Sequence, residues 1–499
     1  MTRTNGSPRT KIAWTDEQEA IFACSAPVVV IKALAGTGKT STLREYARRR
    51  PHERFLYLVY NKAAQLEAKD TFPENVEVRT MHSVAYGDLP RSARWKVGDV
   101  FPVDIANRFG VSQEQATKII ELLNRFFGIE SARIEEAATR HDSNLIIGAA
   151  ARAWKEMNDE RSGLRLPHDG YLKRFMLRNV ALTQWDTLLV DEFQDANPAT
   201  AVIVKRQNHM RRIVVGDNNQ SIYGFRGAVD AMNFLSGEQR TLTQSFRFGA
   251  SVARAANAVL AQKGETLEVV GRGGPSQVLF CSAPREVMLL AQTNAQAIQA
   301  AAERDGEPVW FAGGLTAYRV KRIEDAYLLS RHLWNKVSDY EMRHFRSLNG
   351  LEAYARETQS VELMAICGFV RTYGDEVPRM MEDLRQRAVD RVEDARFWVS
   401  TAHKAKGLEF PHVALGGFFD WEEYVAQRER RFTREMVEDL NLLYVAATRA
   451  INTLYADETL ARAIAEYEGV SYEELTGLGA TPVAPQYASL SNSPSESLR

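Results

Sequence analysis

This chain of 499 residues has little cysteine, no long apolar run and no excess of one charge. Its three cysteines, Cys24, Cys281 and Cys367, are far apart and form no CxxC pair, which argues against a disulfide framework or a zinc site. No stretch approaches the roughly 18 apolar residues of a membrane span, and the polar first residues lead into no apolar leader segment. We therefore expect a cytoplasmic protein, in a reducing compartment, without a membrane partner.

The charges of the chain nearly cancel. Lys and Arg number 63 against 64 Asp and Glu, which gives a formal net charge of -1. The field of the whole protein therefore predicts no polyanionic partner, and any nucleic-acid site has to be a local groove. The length predicts several lobes, and a hydrophobic content of 45% is ample to fill their cores.

Short β-rich runs alternate with helical patterns, which is typical of parallel α/β architecture. Mainly helical stretches, from about residue 89 to 183 and from about 318 to 394, indicate insertions into α/β cores. The Pro- and Ser-rich sequence after Gly479 predicts a disordered tail. We expect two sheets, and the candidate strands are residues 28–31, 55–60, 188–190, 213–215, 278–280, 397–401, 412–415 and 453–455.

The segment ALAGTGKT, residues 33–40, follows the first candidate strand and precedes a helical pattern. In such a turn at a helix N-terminus, backbone N–H groups converge on phosphate oxygens. Lys39 would reach the β- and γ-phosphates of a nucleotide, and the Thr40 hydroxyl would ligate Mg²⁺. Ala33 replaces the first Gly of the general pattern, and a glycine-rich turn without a ligand is the alternative. The predicted nucleotide-binding residues of this loop are Ala35, Gly36, Thr37, Gly38, Lys39 and Thr40.

Two adjacent carboxylates, Asp191 and Glu192, follow the apolar run 188–190. The carboxyl end of a strand in a parallel sheet is the place where ligands bind. Asp191 can hold Mg²⁺ directly or through a water, and Glu192 can orient and deprotonate an attacking water. A solvated turn is the alternative, and the pairing with the GKT loop favours a nucleotide site.

A third polar loop, GDNNQSIYGFRGA at residues 216–228, follows another apolar run. The amide of Gln220 can test for a γ-phosphate, and Tyr223 and Phe225 offer flat faces on which a base can stack. Core packing is the alternative for these aromatic residues, more for Tyr223 than for Phe225. A polar group that faces the nucleotide and flat apolar side chains in one short element are what the coupling of nucleotide hydrolysis to a stacked base would need.

Six segments occur in the order of the superfamily 1A helicases of the UvrD/Rep/PcrA type, which this chain resembles. They are GTGKT, DEFQD, GDNNQSIYGFRGA, LTQSFRF, STAHKAKGLEF and LLYVAATRA. The sequences of the segments LTQSFRFG, HKAKGLEF and NLLYVA look closest to the helicase core of the F-box DNA helicases. The residues ahead of Trp14 are too few for an F-box, so we expect the resemblance to cover only the motor. It implies hydrolysis of ATP with Mg²⁺ on single-stranded or tailed duplex DNA.

The resemblance also implies nucleotide contacts outside the loop. Gln18 matches the Q motif, whose amide reads the adenine edge, and an amide can pair with adenine N6 and N7. Arg247 and Arg449 match two arginine fingers that stabilise charge on the γ-phosphate across a cleft. Surface salt bridges are the alternative for these two arginines. The remaining contacts with the base, the ribose and the γ-phosphate region are implied at Phe246, Gly407 and Glu409.

A groove for single-stranded DNA is implied by the same resemblance. Such grooves contact phosphates and stack bases on aromatic side chains, at about 1–3 kcal/mol per base, so no sequence preference is expected. Histidines that are buried and bonded within the protein are the alternative for the two histidines in this set. The matching residues are Tyr60, Asn61, Thr80, His82, Phe225, Arg226 and His403.

The chain departs from the family at four places. Phe225 stands where Trp is frequent, which leaves a smaller stacking face. Ser41 occupies a position held by Arg in bacterial relatives, so we expect adenine to be held more loosely. Gln292 replaces a common Arg, and no role is carried over to it. The insertion at 318–394 is short beside that of the larger relatives, where this lobe regulates unwinding.

These assignments predict an α/β fold of two RecA-like P-loop NTPase lobes with parallel sheets, each with a mainly helical insertion. Catalysis would need the two lobes to close on Mg·ATP, because Lys39, Glu192 and Gln220 come from the first lobe and both arginine fingers from the second. We place lobe 1A at residues 12–88 and 180–236, insertion 1B at 89–179, lobe 2A at 237–317 and 395–479, insertion 2B at 318–394 and the tail at 480–499.

We expect an ATP-dependent DNA helicase or translocase, with the 3′-to-5′ direction implied by the family alone. One alternative is a translocase that removes recombinase or other proteins from single-stranded DNA with little unwinding, which the short insertion favours. Another is a nucleotide-gated ATPase subunit that acts with a partner such as a nuclease, in repair, recombination or defence. A bacterial protein of this kind would associate with the nucleoid, and a nuclear location stays open.

Overall fold

The computed structural model describes residues 13–60, 62–222, 231–284, 286–304, 306–339, 341–358 and 360–477. The chain divides into two units, which join in sequence at Leu242 and Thr243. Each unit is built on a parallel sheet with helices around it. The predicted α/β class with parallel sheets is therefore confirmed.

The first unit contains a sheet whose described strands are ordered 3-2-4-5-1-6 along the chain numbering, and every neighbouring pair is parallel. Parallel strands are covered on both faces and therefore need continuous apolar runs, which residues 28–31 and 55–59 provide with fully buried side chains. In chain order the strands are β1 (Val28–Ala33), β2 (Phe55–Val59), β3 (Val76–Thr80), β4 (Thr187–Val190), β5 (Arg211–Gly216) and β6 (Glu238–Leu242).

The helices of the first unit cover both faces of this sheet and fill the chain between β3 and β4. Phe126 and Phe127 pack against Trp154 at ring distances of 5.6 Å in the core of that helical segment. The described α-helices of this unit are α1 (Asp16–Ala23), α2 (Lys39–Arg48), α3 (Lys62–Thr71), α4 (Met81–Asp88), α5 (Pro102–Phe109), α6 (Gln113–Gly128), α7 (Asn144–Asn158), α8 (His168–Arg178) and α9 (Pro198–Lys205).

The first sheet ends with an edge strand, β6, that lies beyond residue 236, where the sequence analysis places the end of the first lobe. Its residues pair in parallel with β1, from Val29 opposite Glu238 to Ala33 opposite Leu242. The backbone of β1 gains a second hydrogen-bonded neighbour by this pairing. The first sheet therefore extends to Leu242.

The second unit contains a sheet whose described strands are ordered 12-11-13-10-14-15-9, again parallel throughout, and a separate pair formed by strands 7 and 8. In chain order these strands are β7 (Gln244–Ser245), β8 (Val270–Gly271), β9 (Gln277–Leu279), β10 (Met288–Ala291), β11 (Val309–Phe311), β12 (Ala388–Val389), β13 (Phe397–Thr401), β14 (Phe410–Leu415) and β15 (Ala450–Tyr455).

The helices of the second unit include a group between β11 and β12 that shares one apolar core with the sheet. No helix in the described parts of the chain is both long enough and apolar enough to cross a bilayer. The described α-helices of this unit are α10 (Ala250–Ala261), α11 (Asn294–Ala302), α12 (Val320–Ser330), α13 (Leu348–Glu357), α14 (Val361–Tyr373), α15 (Val377–Arg387), α16 (Ala402–Ala405), α17 (Trp421–Arg430), α18 (Arg434–Ala447), α19 (Glu458–Glu468) and α20 (Tyr472–Thr476).

Candidate active site

The glycine-containing loop joins the carboxyl end of β1 to the first turn of α2. Gly36 and Gly38 have φ angles of 73° and 76°, in the left-handed region that favours glycine. The Thr37 hydroxyl donates to the Leu34 carbonyl at 2.8 Å and closes the turn. Ala33 is the last residue of β1 and is buried in extended backbone, so Gly is not needed at this position. The loop ends at a helix N-terminus, where the first N–H groups lack intrahelical partners.

A hydroxyl and a carboxylate meet where α2 begins and β4 ends. Thr40 Oγ1 donates to Asp191 Oδ2 at 2.9 Å, and the phenol of Tyr57, on β2, donates to the same oxygen at 2.7 Å. These groups fit Mg²⁺, because this ion takes oxygen ligands and is usually held by one or two protein groups together with phosphate oxygens. Thr40 and Asp191 would hold the ion.

Burial raises the pKa of the Asp191 carboxyl above its usual range, and the neighbouring carboxylate of Glu192 adds to this rise. Lys39 and the hydrogen bonds from Tyr57 and Thr40 act in the opposite direction. Burial and the charge of Asp191 raise the pKa of the Tyr57 phenol well above its ordinary value. The tyrosine therefore keeps its proton and acts as a donor.

Glu192 has a backbone conformation that is rare for a residue with a side chain, with φ 50° and ψ 40°. Its carboxylate lies 3.8 Å from Lys39 Nζ, and side-chain exposures of 12% for Lys39 and 32% for Glu192 leave the glutamate partly open to solvent. Gln194 Nε2 donates to Glu192 Oε2 at 2.5 Å. A partly exposed carboxylate beside the lysine of the phosphate loop is suited to orienting a water.

Gln220 lies in the loop after β5 and is held by Asp217. Its Nε2 donates to Asp217 Oδ2 at 2.7 Å, and both side chains are buried. Asp217 Oδ1 accepts from the backbone N–H of Asn219 at 3.0 Å. Because β1, β4 and β5 are neighbours in the sheet, their carboxyl ends bring Lys39, Asp191 and Gln220 to one edge.

Gln18 forms part of the N-terminal cap of α1. Its Oε1 accepts from the Thr15 N–H at 3.0 Å, and the Thr15 hydroxyl accepts from the Gln18 N–H at 3.2 Å, which is a capping box. Its Nε2 donates to Thr42 Oγ1 at 3.0 Å, and the side chain is buried. Reading of adenine by this amide stays a prediction, and it requires a new partner in addition to, or instead of, these internal ones.

The two predicted arginine fingers lie in the second unit in different surroundings. Arg247 Nε donates to Glu409 Oε2 at 2.8 Å, and its Nη1 donates to the Thr448 carbonyl at 2.9 Å. Arg449 is only 1% exposed, and its guanidinium donates to the Val445 carbonyl at 2.8 Å and the Leu408 carbonyl at 3.2 Å. The unit therefore brings both arginines to the region of residues 407–409.

The other residues of this region are open to solvent. Phe246 is 46% exposed, as expected of a ring that is available for stacking. Gly407 has a φ of 86°, in the left-handed region, and Glu409 keeps an exposed side chain. Their roles at the nucleotide stay predictions.

The predicted DNA contacts of the first unit lie partly at neighbouring strand ends. Tyr60 follows β2 and is 45% exposed, and Thr80 ends β3 directly beside Val59. The Thr80 hydroxyl accepts from the Ser83 N–H at 3.1 Å and caps α4. The structure therefore brings Tyr60 and Thr80 together at one edge of the sheet.

The two histidines of the set are not deeply buried. His82 Nε2 lies 3.0 Å from Asp169 Oδ1, with 40% of its side chain exposed, so it is accessible although it is already paired. His403 lies half-buried on α16 of the second unit. Asn61, Phe225 and Arg226 lie outside the described residues, as do Tyr223 and the predicted tail.

Tyr57, Gln194 and Asp217 are site residues to which sequence reasoning assigned no role. Tyr57 stands in the apolar run FLYLV, where an aromatic residue indicates core packing. Its partner Asp191 is 134 residues away in sequence, so no local pattern joins them. Gln194 and Asp217 stand inside the quoted segments DEFQD and GDNNQ, and that position is the signal that could have found them.

Two helicase domain families match the chain. The UvrD/REP helicase N-terminal domain matches residues 170–241, and the UvrD-like helicase C-terminal domain matches residues 315–458. These two parts of the chain therefore resemble the UvrD-like helicases. The matched parts include the end of β4, the loop after β5, and the helix that leads to Arg449.

Similar proteins are also helicases by name. The F-box DNA helicase protein 1 of Schizosaccharomyces pombe is 29% identical over 516 aligned positions, which cover 91% of this chain and 58% of that protein. The F-box DNA helicase 1 of Gallus gallus is 28% identical, over 92% of this chain and 50% of that protein. The ATP-dependent DNA helicase PcrA of Staphylococcus aureus is 27% identical, over 50% of this chain and 40% of that protein. The chain thus spans about half the length of the F-box relatives that it matches.

Proposed function

We propose that this chain is a UvrD-like helicase, a DNA-dependent ATPase that moves along single-stranded DNA and separates duplex DNA ahead of it. The observation that carries the proposal is the meeting of four side chains at the ends of β1 and β4. Lys39 and Thr40 open α2, Thr40 bonds to Asp191, and Lys39 faces Glu192 at 3.8 Å. This arrangement supplies a phosphate contact, a metal site and a general base in one place.

Glu192 is the proposed general base. A water oxygen attacks the γ-phosphorus, the bond from that phosphorus to the β–γ bridging oxygen breaks, and the Glu192 carboxylate takes a proton from the water, which leaves ADP and phosphate. Thr40 and Asp191 would hold Mg²⁺, which would supply positive charge to neutralise the phosphate oxygens. Lys39 holds the γ-phosphate, and Gln220 senses it.

Arg247 and Arg449 are the proposed arginine fingers. A guanidinium at the equatorial oxygens stabilises the charge of the transition state and needs no proton transfer. Their shared surroundings at residues 407–409 support a joint role. The predicted contacts of Phe246, Gly407 and Glu409 with adenine, ribose and the γ-phosphate region belong to the same proposal.

The proposed track is single-stranded DNA. Tyr60 offers an exposed ring at the end of β2, Thr80 lies beside it at the end of β3, and His82 follows on α4. Exposed aromatic faces and hydroxyl groups contact bases and phosphates of a single strand without a sequence code. The names of the relatives support DNA as the polymer, and the 3′-to-5′ direction is proposed from family resemblance.

The experiment that tests this function compares ATP turnover with and without single-stranded DNA, in wild type and Glu192→Gln. We expect strong stimulation by DNA in wild type and a loss on the order of 10²–10⁴-fold in the variant, because a general base contributes that much. Duplexes with a 3′ or a 5′ tail then test direction and unwinding. Stimulated turnover without unwinding would favour a translocase that clears bound proteins. Turnover that ignores DNA would contradict the proposal and favour an ATPase subunit that acts with a partner.

A further inference from the structure

The side-chain amide of Gln194 connects the carboxyl end of β4 to the loop after β5. Gln194 is 1% exposed. Its Nε2 donates to Glu192 Oε2 at 2.5 Å, and its Oε1 accepts from the Asp217 N–H at 3.0 Å. Both ends of one buried amide are therefore used, one on the proposed general base and one on the neighbouring loop.

The connection continues from Asp217 to Gln220, whose Nε2 donates to Asp217 Oδ2 at 2.7 Å. Close packing keeps the amide of Gln194 in place. A Cβ atom at Gly216 would lie 2.5 Å from Gln194 Oε1, so the absence of a side chain at this position leaves the space that the amide fills. Glu192, Gln194, Asp217 and Gln220 thus form one hydrogen-bonded series.

We propose that Gln194 is a positioning residue for hydrolysis, which fixes the Glu192 carboxylate and ties it to the loop that carries Gln220. The proposal rests on the ATPase function proposed above. A glutamate side chain that is 32% exposed samples several rotamers in solvent unless a donor holds it. Small misplacements of a catalytic group cost much of its effect, so the amide that holds the carboxylate contributes to the rate.

A structural role for Gln194 is the competing explanation, and Gln207 provides a matched control in the same unit. Gln207 is 2% exposed. Its Oε1 accepts from the Leu182 N–H at 2.9 Å, and its Nε2 donates to the carbonyls of Val180 and Ile203, each at 3.1 Å. It therefore represents a buried amide that bonds backbone groups away from the nucleotide site.

The test compares Gln194→Met with Gln207→Met, because methionine keeps the length of the side chain and removes both hydrogen-bonding groups. We expect Gln194→Met to lower kcat about 10- to 100-fold, a fraction of what a general base contributes. KM for ATP and the affinity for a fluorescent non-hydrolysable ATP analogue should change less than about 3-fold, because binding does not use the carboxylate. Gln207→Met should lower the melting temperature at least as much as Gln194→Met does, because it also leaves buried backbone groups without a partner. Its kcat should stay within about 3-fold of the wild-type value.

A second measurement asks whether Gln194 acts through Glu192. In single-turnover experiments on Glu192→Gln, adding Gln194→Met should reduce the rate less than about 3-fold further, because groups that act as a unit are not additive. Equal kcat losses in the two methionine variants would overturn the proposal. The same loss from Gln194→Met with and without Glu192 would overturn it as well.

The outcomes for the two proposals can be distinguished. Wild-type ATP turnover that is indifferent to DNA would contradict the DNA motor, while the comparison of Gln194→Met with Gln207→Met on basal turnover would still decide the role of Gln194. A wild-type chain that hydrolyses no ATP under any of these conditions would overturn both.

Discussion

The phenol of Tyr57 donates a hydrogen bond of 2.7 Å to Asp191 Oδ2, the oxygen that also accepts from Thr40 Oγ1. Tyr57 lies on β2, which pairs directly with β4, and Asp191 follows the end of β4. The orientation of a proposed metal ligand is therefore set by a side chain of the neighbouring strand.

Tyr57→Phe removes this bond and keeps the ring, which stacks on Phe72 at 4.3 Å. A hydrogen bond to a charged group contributes about 1.5–3 kcal/mol, so we expect the Mg²⁺ concentration for half-maximal ATP turnover to rise on the order of 10-fold. Mg²⁺ titrations of turnover and of nucleotide binding measure this. Tyr46→Phe is the control, because Tyr46 is buried in the same unit and donates to the Cys24 carbonyl instead. Equal Mg²⁺ requirements in the two variants would contradict the role of Tyr57.

The two predicted arginine fingers should differ in their effect on stability. Arg449 is buried with its guanidinium on backbone carbonyls, whereas Arg247 pairs with the exposed Glu409. Arg449→Ala leaves buried acceptors unpaired, and we expect its melting temperature to fall by about 5 °C or more. Arg247→Ala should cost less, with a fall of about 2–3 °C, since its ion pair with Glu409 is partly open to solvent and only the Thr448 carbonyl loses a donor.

Both arginine variants should lose turnover on the order of 10³-fold if both residues act as fingers. Thermal unfolding and ATP turnover measured on the same preparations separate the two effects. Arg449→Ala with full turnover would show that this arginine serves the fold alone.

The variant Gln18→Glu tests whether this side chain recognises adenine, and it keeps the N-terminal cap of α1. Glutamate keeps the acceptor for the Thr15 N–H, since Glu is the usual partner in a capping box, and loses the donor to Thr42. We expect the melting temperature to change by less than about 3 °C. The preference for ATP over GTP, measured as the ratio of kcat/KM values, should fall about 10-fold, because the amide that pairs with adenine is lost. An unchanged preference would assign Gln18 to the cap only.

Asp439 should make the stability of the second unit depend on pH. Burial raises the pKa of its carboxyl to about 6, although Gln292 donates to it at 3.1 Å. The folded chain therefore keeps a proton that the unfolded chain releases, and the free energy of unfolding falls as the pH rises from about 4 to about 6.

Asp439→Asn removes this ionisation and keeps a carbonyl oxygen for Gln292. We expect its melting temperature at pH 7 to exceed that of wild type by about 2–4 °C, and the difference to disappear below about pH 4, where both side chains are neutral. Thermal unfolding across this pH range measures the difference. A constant difference between the two proteins at all pH values would contradict the assignment.

The strands that carry the site could be predicted from the sequence because each is an apolar run followed by polar residues. Residues 28–31, 188–190 and 213–215 lie in β1, β4 and β5. β3 and β6 were not predicted, since their sequences VEVRT and EQRTL contain charged residues and bury few side chains, as edge strands do. β10 was not predicted because the four residues MLLA cannot be told from a buried helical turn.

The candidate site was predictable where its residues stand in one continuous segment. Lys39, Thr40, Asp191 and Glu192 are recognisable because the phosphate loop and the strand-end carboxylates each have local patterns. The bond from Tyr57 to Asp191 depends on the order of strands in the sheet, and a single sequence does not contain that order. The paired state of Gln18 and the burial of Arg449 likewise follow from packing.

The left-handed backbone conformation of Glu192 has a consequence for selection experiments on this chain. A residue with a Cβ atom in this conformation costs roughly 1–2 kcal/mol, a strain that Gly avoids and Asn reduces. Directed evolution that rewards heat resistance alone would therefore favour Gly or Asn at position 192. The proteins that survive such a selection best would lack the proposed general base, so a thermostable version of this chain has to be selected with ATP turnover as part of the screen.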